Sequence, residues 1–263
     1  MEKRITILDF QAKCDQGEKI AIVTAYDYPM ALAVDAAGVD AVLVGDTLNM
    51  VVLGRPDTLS ATMDEMLHHT KAVAQGVKHA LVIGDMPFLS YQLGLEAALE
   101  NAGAFLTEGG AQAVKLEWFP RAPEVTAYLV DNGVPVMGHV GFTPQRVNQL
   151  GGYRRQGKDK AGVARLVQQA LALEEAGAFA VVLELVPDDT ARKITKSLKI
   201  PTIGIGAGPH CDGQVQVLHD MLGLLPDFHP KHAKAYLKLH DSIKEAVQQY
   251  VKEVRDGQFN PGA

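Results

Sequence analysis

A chain of 263 residues, 47% hydrophobic and 21% charged, carries enough apolar material for one large core. Its formal net charge of −6 excludes a general nucleic-acid binder, which needs a basic surface. No apolar stretch reaches the roughly 18 residues of a membrane span, and the N-terminal "MEKRITILDFQAKCDQGEK" lacks the apolar segment of a secretory signal.

In chain order, short apolar runs alternate with longer helical patterns. The segment before Lys19 reads as an accessory N-terminal helix. The runs that follow are "IAIVTAYD" (20–27), "DAVLVGD" (40–46), "ALVIGD" (80–85), "AVKLE" (113–117), "VPVMGHV" (134–140), "AVVLE" (180–184) and "IPTIGIGAG" (200–208). Their hydrophobicity is continuous rather than alternating, as in strands covered on both faces. "QVLHDMLGLL" (216–225) is the candidate eighth strand.

The punctuation agrees. Thr62 and Glu65 stand at capping-box spacing and start a helix. Thr143 is placed at an N-cap with Pro144 at the first helical position. Gly38, Gly133 and Gly177 each close a helical segment just before a strand. "PKHAKAYLKLHDSIKEAVQQYVKEV" predicts one or two amphipathic C-terminal helices, with Lys231, Lys234 and Lys238 on a solvated helical face. No linker or low-complexity tract interrupts the pattern, so residues 1–263 read as a single domain. Repeated strand–helix alternation means parallel strands with right-handed crossovers, and at this length a closed (β/α)₈ TIM barrel is favoured over an open sheet. The two cysteines, Cys14 and Cys211, lie far apart, which predicts no disulfide framework and a cytoplasmic setting.

Several of these strands end on an acid: Asp46, Asp85, Glu117 and Glu184. In a parallel barrel the C-terminal ends of all strands open on one mouth, where these side chains and His139 would converge. Clustered carboxylates repel one another unless a cation sits among them. Hard oxygen donors without cysteine suit Mg²⁺, Mn²⁺ or Ca²⁺ rather than zinc, and Mg²⁺ with open positions polarises a substrate carbonyl. Lys115 shares strand parity with Glu117, so it points to the same side and supplies a cation for a substrate carboxylate or oxyanion. Each acid taken singly also suits a helix N-cap, and Lys115 also suits a paired interior lysine. "GIGAGPHCDG" (204–213) is glycine-rich but lacks the ending of a P-loop and the fingerprint of a dinucleotide fold. "LHHT" (67–70) lacks the spacing of a zinc helix. A carbon–carbon lyase or mutase acting on a 2-oxo acid would use the same cradle, and a non-catalytic barrel is the remaining alternative.

Read together, "TAYDYPMA" (24–31), "LVGDTLNMVVLG" (43–54), "DMPF" (85–88), "VKLE" (114–117), "GHVGFTPQ" (138–145), "GGYRRQG" (151–157), "LELVP" (183–187) and "IGIGAGPHCDGQVQVLHD" (203–220) closely resemble the ketopantoate hydroxymethyltransferase family. The barrel is also similar to the wider phosphoenolpyruvate mutase and isocitrate lyase superfamily. The resemblance implies transfer of a hydroxymethyl group from 5,10-methylenetetrahydrofolate to 3-methyl-2-oxobutanoate, with Mg²⁺, giving 2-dehydropantoate for pantothenate synthesis. It places metal binding at Asp46, Asp85 and Glu117, substrate binding at Asp46, Thr47, Asp85 and Lys115, and the proton acceptor at Glu184. His139 is expected within hydrogen-bonding reach of substrate. The family is cytoplasmic and forms a homo-oligomer, commonly a decamer of two five-membered rings. Two departures stand out: "GDTLNM" has Thr47 and Asn49 where the family has Ser and Gly, and Trp118 and Phe119 replace its glycine-rich continuation after "KLE".

Overall fold

The structure, a computed structural model, describes residues 4–226 and 230–260. Eight parallel strands close into a barrel in sequence order. They are β1 (Ile20–Thr24), β2 (Ala41–Val44), β3 (Leu81–Asp85), β4 (Ala113–Glu117), β5 (Val136–Gly141), β6 (Ala180–Glu184), β7 (Thr202–Ile205) and β8 (Gly213–Gln216). The helices are α1 (Ile7–Gln16), α2 (Tyr28–Ala36), α3 (Leu48–Val51), α4 (Met63–Gly76), α5 (Leu95–Thr107), α6 (Ala122–Asp131), α7 (Val147–Leu150), α8 (Lys160–Glu175), α9 (Asp188–Ser197), α10 (Leu218–Leu222) and α11 (Leu239–Arg255). The fold is the predicted (β/α)₈ TIM barrel. Chain contacts group into two compact units, Met1–Val215 and Gln216–Ala263.

The local signals act as the sequence suggests. Thr62 and Glu65 form a reciprocal capping box at the start of α4. Gly38, Gly133 and Gly177 have positive φ at the ends of helical segments. Thr143 precedes a short 3₁₀ turn, Pro144–Arg146, without capping it through its side chain. No described helix is long and apolar enough to cross a membrane.

Two expectations need correction. The eighth strand is Gly213–Gln216, not 216–225, and Leu218–Leu222 of that segment is α10. The apolar run "MLGLL" suggested a strand, yet Gly223 with φ 63° caps a short helix within it. Lys231, Lys234 and Lys238 do not share a helix, because α11 begins after Lys238. The backbone there bonds elsewhere: Tyr236 N–H donates to Met221 C=O at 2.7 Å instead of to its own preceding turn.

Alternate residues of each strand fill the barrel. Ile20 and Ile22, Leu81 and Ile83, Ala113, Met137, and Ala180 and Val182 belong to one buried apolar cluster. Phe10 of α1 joins that cluster and packs edge-on against Phe179, ring centroids 5.8 Å apart. Both lie level with the strand starts, so α1 stoppers the N-terminal end. The same parity then leads upward to Asp85, to Lys115 and Glu117, to His139 and to Glu184. One pleat thus supplies an apolar floor and a charged mouth.

Candidate active site

Strand register brings the charged groups side by side. Asp85 pairs with Lys115 across β3 and β4, and Glu117 with His139 across β4 and β5. Glu184 pairs with Gly141 across β5 and β6. Gly141, at φ 101°, is required there, because a Cβ would collide with the backbone oxygen of Glu184. The residue after Glu184, Leu185, has φ 47°, a conformation that side chains seldom adopt and that turns the chain sharply past the acid.

Lys115 Nζ donates to Asp85 Oδ1 at 2.7 Å, and both side chains are buried. Burial alone would lower the Lys115 pKa, but Asp85, Glu117 and Asp46 hold it above the ordinary lysine value. Asp46 lies past the end of β2, and its backbone N–H donates to Asp85 Oδ2 at 3.1 Å. Burial and the neighbouring Asp85 charge raise the Asp46 pKa to about 7. Thr47, half-buried at the start of α3, turns its hydroxyl toward the same space. A Cβ on Gly45 would lie 3.8 Å from both Thr47 Oγ1 and Asp85 Oδ2.

Glu117 is buried, and burial pushes its pKa well above the carboxylate range. His139 stands between two acids: its Nδ1 is 3.7 Å from Glu117 Oε1 and its Nε2 is 3.3 Å from Glu184 Oε2. Burial and the nearby Lys115 charge hold the imidazole well below its usual pKa, so it is neutral at pH 7 and these contacts are not ion pairs. Glu184 is partly exposed, at 15% for its side chain, and so is the acid of the group that meets the open mouth.

Sequence reasoning missed the group that ties the acids together. Gln145 Nε2 donates to Asp46 Oδ2 at 3.0 Å and to Met86 C=O at 2.9 Å. Its backbone N–H donates to Glu117 Oε2 at 3.1 Å. Its Oε1 accepts from the Tyr91 hydroxyl at 2.6 Å, and that hydroxyl accepts from Glu117 N–H at 3.2 Å. "TPQ" was legible only as a helix start. Asn49, one of the departures, anchors the following loop: its amide donates to Asp57 C=O at 2.6 Å and accepts from Arg55 at 2.7 Å. Arg55 in turn pairs with Glu65 at 2.6 Å.

The glycine-rich loop is not built for phosphate. A Cβ on Gly208, at φ 77°, would run into the Asp188 carboxylate, so the loop packs against an anion. His69 of "LHHT" is tied to the Tyr26 carbonyl at 2.6 Å.

Among the described residues, no group of three or more His, Cys, Asp or Glu side chains is gathered for direct ligation. Lys115 and the Asp46 backbone N–H each bond one oxygen of Asp85, the Gln145 amide bonds one of Asp46, and the Gln145 backbone one of Glu117. What remains fits a hard cation that keeps water and substrate in its shell: the adjoining Asp46 and Asp85, and Glu117 Oε1, which is buried without a hydrogen bond.

Fold and site together define a TIM-barrel enzyme with acid–base and oxyanion-binding groups at the C-terminal ends of its strands. The sequence model described as ketopantoate hydroxymethyltransferase matches residues 4–262. A 3-methyl-2-oxobutanoate hydroxymethyltransferase of Carboxydothermus hydrogenoformans is 56% identical over 256 residues, covering 97% of this chain and 93% of its own. One from Chloroflexus aurantiacus is 57% identical over 259 residues, covering 98% and 91%. The chain belongs to the ketopantoate hydroxymethyltransferase family and is a transferase. Solved structures with the same fold include phosphonopyruvate hydrolase in complex with oxalate and Mg²⁺, 16% identical with a TM-score of 0.64, covering 95% of this chain and 87% of that one. Another is 2,3-dimethylmalate lyase, a member of the PEP mutase/isocitrate lyase superfamily, at 16% identity and a TM-score of 0.62, covering 98% and 89%.

Proposed function

We propose that this protein transfers a hydroxymethyl group from 5,10-methylenetetrahydrofolate to 3-methyl-2-oxobutanoate, yielding 2-dehydropantoate and tetrahydrofolate for pantothenate synthesis. The observation that carries the reading is the buried Lys115–Asp85 pair beside Asp46, with Glu184 held near His139 across the same mouth.

Bound Mg²⁺ supplies a Lewis acid toward the keto oxygen and carboxylate of a 2-oxo acid. Asp46, Asp85 and Glu117 would hold it, Glu117 with its free Oε1. Two of these acids keep raised pKa values in the protein alone, which is the electrostatic strain a cation relieves. Lys115 stays charged and binds the substrate carboxylate or the negative charge that grows on the keto oxygen. Thr47, which keeps the hydroxyl of serine, hydrogen-bonds on the same side.

Glu184 takes the proton from C3. Its partial exposure lets it reach the substrate, and neutral His139 packs beside it, Nε2 3.3 Å from Oε2. The C3–H bond breaks and C3 bonds to the one-carbon unit. Both C–N bonds to the donor's methylene carbon break, water supplies the hydroxyl on that carbon, and the C3 proton held by Glu184 with the second proton of water goes to the two nitrogens as tetrahydrofolate leaves. Gln145 holds Asp46 and Glu117 at fixed separation throughout.

Assembly into a homo-oligomer, the family's decamer, belongs to the same proposal. It is supported by α11, where Ile243, Val247, Tyr250 and Val254 recur at helical spacing with exposures of 48, 53, 51 and 48%. The cytoplasm is its proposed location, in keeping with two free cysteines. The deciding assay follows 2-dehydropantoate formation from both substrates with Mg²⁺ and after chelation. Production only with Mg²⁺ is expected, and absence of product with Mg²⁺ present would overturn the reading.

A further inference from the structure

Two cavities adjoin the site on the side of the loops that follow β3, β4 and β5. One, of about 230 Å³, has aromatic walls: Phe88, Tyr91, Trp118 and Phe119. Tyr91 and Phe119 meet edge to face at 5.6 Å, which fixes the wall. Gln145 also lines it, the residue whose amide holds Asp46. The other, of about 320 Å³, is mixed: Arg146, Gln149, Gln156 and Arg165 line it beside Leu150 and Leu166. Trp118, Arg146 and Gln149 line both, so the two cavities adjoin.

The arginines carry uncommitted charge. Arg146 donates to the Trp118 carbonyl at 3.2 Å and to Gln149 Oε1 at 2.7 Å, both neutral acceptors. Arg165 makes no hydrogen bond or ion pair with any described residue. Other exposed arginines differ among themselves: Arg121 pairs with Glu124 at 2.8 Å and Arg192 with Asp189 at 3.1 Å, while Arg154, Arg155 and Arg255 lie outside the cavities and form no ion pair with a described residue. Two guanidinium groups without an ion pair, lining one cavity, suit carboxylates, which they bind with directional, charge-assisted bonds. Aromatic walls next to them suit a flat ring.

We propose that this double cavity is the subsite for the one-carbon donor: the aromatic part takes the donor's rings, and Arg146 with Arg165 takes its anionic tail. The inference rests on the proposed function, and it gives a purpose to Trp118 and Phe119, which depart from the family's sequence. Their rings form the wall that a glycine-rich turn would leave open. The 2-oxo acid is too small to span both cavities, whereas a ring system ending in carboxylates fills them and keeps its reactive end toward Gln145 and the acids.

Trp118 is the single tryptophan of the chain and reports directly on occupancy. Tetrahydrofolate should quench its fluorescence, and so should 6-methyltetrahydropterin, which lacks the anionic tail. Arg146→Ala and Arg165→Ala should each weaken tetrahydrofolate about fivefold, the scale of one solvent-touched charge-assisted contact. Neither variant should change the affinity of 6-methyltetrahydropterin or the exchange of the C3 hydrogen of 3-methyl-2-oxobutanoate with solvent. Equal tetrahydrofolate affinity in parent and both variants overturns the proposal, as does equal weakening of the tailless probe. The two readings separate cleanly. A parent that makes 2-dehydropantoate while its donor KM is indifferent to both arginines refutes the subsite alone. A parent whose Trp118 responds to tetrahydrofolate through the arginines but which makes no product refutes the reaction and supports the subsite.

Discussion

His139 Nε2 stands 3.3 Å from Glu184 Oε2, with the imidazole buried and the acid open to the mouth. A neutral, buried ring beside an accessible acid orients that acid without neutralising it. Glu184→Gln is expected to slow C3 hydrogen exchange by about 10²–10⁴-fold, the range of a general base, with 2-oxo acid affinity within a few-fold of the parent. Normal exchange with loss only of hydroxymethyl transfer would move Glu184 to the donor side of the reaction.

His139→Ala should slow the same exchange by about tenfold, about 1.4 kcal/mol in the barrier, because the acid loses the buried ring packed beside it. Because the ring acts through the acid, His139→Ala combined with Glu184→Gln should be no slower than Glu184→Gln alone. Multiplicative losses would show that His139 contributes on its own.

The Asp46 carboxyl gives a pH signature in metal-free protein. Its folded pKa, about 7, lies above the ordinary value of 3.8, so the folded chain binds the extra proton in that interval. That stabilising contribution is complete below about pH 4 and is lost as pH rises through about 7. Thermal melts in chelator should therefore show Asp46→Asn gaining on the parent from pH 4 to pH 8. A difference in Tm that stays flat over that range would refute the assignment.

Mg²⁺ should reverse that loss. At about a hundredfold over its Kd it adds about 2.7 kcal/mol, or roughly 5 °C in Tm. Asp85→Asn and Asp46→Asn should each abolish the shift. An undiminished shift in either variant would place the ion elsewhere.

Gln145→Leu should destabilise the protein by about 1–3 kcal/mol, because Tyr91 and Asp46 are left with unmet polar groups in a buried site. Tyr91→Phe should add little to it, since both changes break one network. Additive denaturation free energies would separate the two residues.

The barrel was legible because parallel strands sheathed on both faces read as unbroken apolar runs, and an acid that ends such a run is conspicuous. Lys115 followed from parity with Glu117. Gln145 left no such trace. Its partners stand 99, 59, 54 and 28 residues away, so nothing near it in the chain announces its role. The last strand was misplaced because Gly213–Gln216 is short and half polar, and the apolar run beyond it drew the assignment forward. The cavities behind Trp118 depend on three loops meeting in space, which no single stretch encodes.

Phe10 gives the barrel a closed bottom, and a chamber with one door imposes an order on its visitors. Whatever binds deepest has to enter first and leave last, since a ring system seated over the mouth blocks the way past it. Turnover should then follow a compulsory sequence, the small 2-oxo acid ahead of the bulky donor. Pulse-labelled 2-oxo acid held on the enzyme should be carried through to product when excess donor and unlabelled acid arrive together. Escape of the label at every donor concentration would mean the chamber has a second way out.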